Sequence, residues 1–136
     1  MLKKFSITEL VKAIQKTVKA GTGMKCLDHV EQDEQSPFYY VEFRQSRPVD
    51  SKTMFVEDYM VYIHIVTEET NSSVPMYRYI ELLEEAMTED IEVPDPYNLV
   101  MQTDNGVVSI YKEETEELHG IVSFTFRISY GWKCKL

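Results

Sequence analysis

Apolar residues recur at helical spacing from the start of the chain. Ile7, Leu10, Val11, Ile14 and Val18 form one stripe, and Lys12, Lys16 and Lys19 share another face. Ser6-Ile7-Thr8-Glu9 is a capping box at the helix start. Gly21 and Gly23 are its expected stop, because glycine tolerates the left-handed conformation of a helix end. The pattern then changes to a period of two. Lys25 to Val30 is a short strand candidate and Phe38 to Arg44 a stronger one, with Tyr39, Val41 and Phe43 on one face. Val56 to Thr67 alternates Tyr59, Val61, Ile63 and Ile65 with Met60, Tyr62, His64 and Val66. Both faces are largely apolar, which suits a strand covered on both sides or one whose second face meets another subunit.

A second helix is expected after Ser72 and Ser73, with Pro75 in its first turn. Its buried stripe is Met76, Tyr79, Ile80, Leu83 and Met87, with Glu81, Glu84 and Glu85 outward. Val93-Pro94-Asp95-Pro96 stops it. Asn98 to Thr103 and Val107 to Lys112 flank Asp104-Asn105-Gly106, a strong hairpin signal. A solvated loop at Glu113 to Glu117 leads to a last strand, Gly120 to Trp132. The expected order is α-β-β-β-α-β-β-β. This is an α+β domain over residues 1–136, with two helices packed on a mainly antiparallel sheet.

Charge sharpens this picture. The net charge is −9, which argues against general nucleic-acid binding. Residues 1–25 carry six lysines against Glu9 alone, whereas residues 81–119 carry twelve acids against Lys112. Such segregation suits self-association or docking to a charged partner, and equally a pair of solvated faces. No apolar run approaches the roughly 20 residues of a membrane span, and no secretory signal pattern is legible. A cytoplasm is the expected compartment.

Candidate chemistry is sparse. Cys26 and Cys134 lack CxxC spacing, and Cys26 reads as a packed, reduced thiol. His29, His64 and His119 are far apart, without zinc-like spacing. His64 reads as a packed or interface histidine, and His119 as a turn residue. Glu113, Glu114, Glu116 and Glu117 do not form a calcium loop. No nucleotide-binding, nucleophile-elbow or metalloprotease motif occurs. No catalytic, cofactor or metal residue is assigned. Tyr40 and Tyr62, opposite the presumed core face, point to protein contact.

The whole chain resembles a known group on its order of elements. The capped helix is followed by the Tyr- and Phe-rich strand ending at Arg44 and the long strand from Asp58 to Val66. Then come Asn71-Ser-Ser-Val-Pro75, the stretch from Asn98 to Gly106, and the ending from His119 to Gly131. It is similar to tail terminator and tail-to-head joining proteins of tailed phages and prophages of Gram-positive bacteria. That resemblance implies a non-enzymatic virion protein forming a ring, typically hexameric, on the tail tube and facing the head connector. The expected assembly surface is Lys12, Lys16, Lys19, Arg44, Arg47, Lys52, Tyr62 and His64. The charged stretch from Gln45 to Thr53 is expected to be a mobile loop. The competing reading is a small ligand-binding or enzymatic α+β domain of a mobile element.

Overall fold

The computed structural model describes residues 2–133. Cys134 and Lys135 therefore lie outside the described residues. Helix α1 spans Ile7–Thr22, and Ser6 Oγ accepts from the Glu9 amide, which is the Ser6 half of the expected capping box. Gly23 ends the helix at φ 72°, with its N–H donated to the Lys19 carbonyl. Gly21 is still helical; its task is packing, not termination. Leu10, Ile14 and Val18 are wholly buried. Each such side chain contributes about 1.5–3 kcal/mol.

The strands are β1 Cys26–Leu27, β2 Phe38–Pro48, β3 Met54–Glu69, β4 Asn98–Lys112 and β5 Glu117–Trp132, with helix α2 at Val74–Ala86 between β3 and β4. The sheet order is β1-β2-β3-β5-β4. Only the short β1–β2 pairing is parallel. Helix α1 packs on β1 and β2, and α2 on β3 and β5. Their shared sheet face carries Tyr39, Val41, Tyr59, Val61, Ile63, Ile65, Val122, Phe124, Phe126 and Ile128, all in one buried cluster. The α+β class and the helix stripes are as expected. Cys26 is buried, and burial pushes its thiol up to about 12.

Two expectations need correction. Asp104-Asn105-Gly106 is not a hairpin turn, so the second half has two strands, not three, and the order is α-β-β-β-α-β-β. Both flanks pair in succession with the long β5, and the Asn-Gly step is a bulge between them. Gly106 takes φ 93°, and its N–H is donated to Asp104 Oδ1. Asn105 Nδ2 donates to Ser123 Oγ and Thr125 Oγ1 across the ladder, which holds the bulge on β5. The second correction concerns Gln45 to Thr53. β2 continues to Pro48, and the turn is bound down: Asp50 Oδ1 accepts from the Val56 amide at 2.9 Å, and Ser51 Oγ from the Met54 amide at 3.0 Å. The region is a hairpin arm instead of a loop.

The helices touch most closely at Gly21. A Cβ there would lie 2.4 Å from the Cβ of Ala86. Alanine is favoured over glycine in a helix by about 1 kcal/mol. Overpacking at this crossing outweighs that gain, so Gly21→Ala is expected to lower stability by about 1–2 kcal/mol. A lower urea midpoint reads this out; a raised midpoint contradicts the close approach.

Candidate functional site

The sheet face away from the helices is the first candidate surface. Alternation along β2, β3 and β5 places Tyr40, Glu42, Arg44, Tyr62, His64 and His119 on it. The Arg44 guanidinium lies 4.8 Å from the centre of the Tyr62 ring and bonds Glu42 at 3.0 Å. Glu42 Oε1 meets His64 Nε2 at 2.7 Å, and His64 Nδ1 meets His119 Nε2 at 2.7 Å. His119 Nδ1 meets Glu113 Oε1 at 2.7 Å. Tyr40 stacks on His64 and Tyr111 on His119, so both imidazoles are buried beneath aromatic rings. Burial would raise the Glu42 carboxyl, but hydrogen bonds from His64 and Arg44 outweigh it and hold it below the usual range. Burial pushes His64 below the ordinary imidazole range, against the pull of Glu42.

The second candidate surface is β4. It is an edge strand, and neither helix packs extensively on it. Val100, Met101, Val107 and Val108 are 46–52% exposed, and Ile110 and Tyr111 are exposed beside them. An apolar edge strand of 15 residues is a template for pairing with another chain. It is tethered from inside. Gln102 donates to the carbonyls of Met87 and Glu89 and accepts from the Ile91 amide. Across the sheet, β2 has its own free edge, because β1 pairs only with Tyr39 and Tyr40. A groove of about 1020 Å³ runs along that side, lined by Ile7, Val11, Phe38, Tyr40, Val41 and Phe43 among others.

The residues expected at the assembly surface separate into three places. Lys12, Lys16 and Lys19 are exposed on α1, where Lys16 bonds Glu92 at 2.8 Å and Lys12 lies 3.9 Å from Glu9. Arg44, Tyr62 and His64 come together on the open face. Arg47 and Lys52 are exposed on the hairpin arm, where Arg47 is opposite Asp58. His119 is not a turn residue but a buried residue inside β5, and neither it, Glu113 nor the β4 edge belongs to the expected assembly surface. Their signal lies in strand register, which joins residues far apart in the chain.

A sequence model of the family described as "Putative tail termination protein" matches residues 1–136. The chain belongs to this phage tail terminator family. It is thus a structural protein of the virion class, as its order of elements suggested. No protein of curated function matches it. A solved structure described as "Virion of native gene transfer agent (GTA) particle" shares the fold, with a TM-score of 0.67 at 15% identity. That match covers 93% of this chain and 99% of the other. In this tail terminator family member, no cluster of three or more His, Cys, Asp or Glu suited to a metal occurs among the described residues. No helix there is long and apolar enough to cross a membrane.

One carboxyl pair braces the β4 edge. The Glu84 carboxyl on α2 is raised to about 7, chiefly by a hydrogen bond with Asp104, then by burial and the charges of Asp104 and Glu81. The ordinary value is 4.5. The pair therefore stabilises the fold below that value and loses this contribution as pH rises through about 7. Glu84→Gln keeps a donor for Asp104 at every pH. Its melting temperature should exceed that of the natural chain by about 2–5 °C at pH 8, and by less at pH 5. A pH-independent difference contradicts the shared proton.

Proposed function

We propose that copies of the chain join head to tail into a closed ring that ends the tail tube at its head-proximal side. The β4 edge of one copy meets the free β2 edge and its groove on the next. The observation that carries this reading is the apolar β4 strand left outside the helix layer. A heterologous contact needs two different patches on one subunit, and the sheet has two different free edges. Charge fits the same arrangement. Lys12, Lys19, Arg44 and Arg47 lie towards the β2 side, and Glu81, Glu84 and Asp104 towards the β4 side. Asp28, Glu31 and Glu34 border the β2 side, so the contrast is confined to the outer face of α1 and the hairpin arm. Lys52 and Tyr62 flank this interface and complete the surface offered to partners, whereas His64 is buried beneath Tyr40 and supports that surface from below. Those partners are the next copy, the tail tube and the head connector, met in the host cytoplasm. The role is non-enzymatic: the histidines and glutamates of the open face engage one another instead of converging on a vacant centre.

Val108→Lys with Ile110→Lys tests the interface. Both native side chains are exposed, so the free chain should remain folded. Burying an unpaired charge costs about 3 kcal/mol or more, so self-association should weaken by roughly two orders of magnitude. Ring particles seen by negative stain and light scattering for the natural chain should vanish. Equal assembly of both proteins overturns the β4 interface. Replacing Lys12, Lys16 and Lys19 by glutamate should slow assembly at low salt more than at high salt, because exposed pairs steer encounter but add only about 0–1 kcal/mol each. Salt-independent rates would remove these lysines from the interface.

A further inference from the structure

We propose that a single proton shared between His64 and His119 locks the open sheet face and makes the end of β4 sensitive to pH in both directions. The argument is a proton count. The contacts Glu42–His64, His64–His119 and His119–Glu113 use all four ring nitrogens, each at 2.7 Å. Ionised carboxylates only accept, so His64 Nε2 and His119 Nδ1 must each carry a proton. The central contact then needs one more. Without it, two lone pairs face each other; with two, the N–H groups collide. The intact chain holds three protons on four nitrogens, which makes one imidazole and one imidazolium between two carboxylates.

The surroundings suit this state. The charged groups facing the pair are Glu42 and Arg44 from β2 and Glu113 beyond β4. Tyr40 and Tyr111 stack on the two rings, and Tyr62 meets His64 edge-on. Burial raises Tyr40 to about 12 and also raises Tyr111, so both stay neutral. Uptake of a second proton sets two cations in contact, and loss of the shared proton sets two lone pairs in contact. Either change parts His119 and Glu113 from His64 and releases the turn after β4. On the acid side the sign is fixed. The folded value of His64 lies below its ordinary 6.5, so its contribution is complete above 6.5 and drains as pH falls through the folded value.

Imidazole nitrogen NMR on the full-length, isotope-labelled chain between pH 4.5 and 9 tests this. Near neutrality, His64 Nε2 and His119 Nδ1 should both be protonated. The two facing nitrogens should show averaged shifts from one exchanging proton, with separate steps on either side. Amide exchange at Tyr111 and Lys112 should quicken beyond both steps. Glu113→Gln changes a half-exposed turn residue and keeps an acceptor for His119. Losing that charge should weaken retention of the shared proton by about tenfold. Two neutral imidazoles at pH 7, one independent titration for each ring, or a Glu113→Gln profile identical to the natural one would overturn the proposal.

Discussion

The width of the helix layer governs the rest of the structure. Two helices side by side cover about 20 Å, and strands repeat every ~4.8 Å, so the layer spans about four strands. The sheet has five. Helix α1 lies over β1 and β2, and α2 over β3 and β5, which leaves β4 beyond the layer. Its pairing with β5 and the Gln102 side chain hold it in place, but its apolar side chains keep about half their surface. Pairing with β5 supplies the inward ladder of this surplus strand, while its outward backbone groups stay unpaired at the sheet edge. The strand thus leaves a surface that a second chain is suited to cover.

The opposite sheet face solves a different problem. No helix covers it, yet β3 carries Met60, Tyr62, His64 and Val66 there. Aromatic rings from β2 and β4 close over the two imidazoles, and glutamates at both ends satisfy their outer nitrogens. Nearby, Arg127 spans to Asp58 through two hydrogen bonds of 2.8 and 3.1 Å, so a buried carboxylate is paired across the ladder. This face is thus partly dry, braced by polar links between strands, and still open to a partner at Arg44 and Tyr62.

Local signals were legible where local energetics decide. Ser6 and Glu9 mark the α1 start, and the alternation of β3 and β5 places their inner residues in the core. The α2 stripe is buried at Met76, Ile80, Leu83 and Met87. Asp104-Asn105-Gly106 misled because its hairpin chemistry also suits a bulge, and the choice depends on a partner strand long enough to receive both flanks. His64 and His119 are 55 residues apart, and only register brings them together. Val100, Val107, Val108 and Ile110 look like ordinary core residues along the chain. Their exposure follows from the position of β4 at the sheet edge, which is a property of topology.

These features converge on one claim: the edge the helices leave bare is the edge that assembly covers. Hydrogen exchange measured residue by residue on free and assembled chains tests it most directly. Assembly should slow exchange of the outward amides of β4 and of the free β2 segment beyond Tyr40, while amides of the central β3–β5 ladder stay as they were. Unchanged β4 exchange in the assembled particle, with new protection confined to the outer face of α1, would contradict the account.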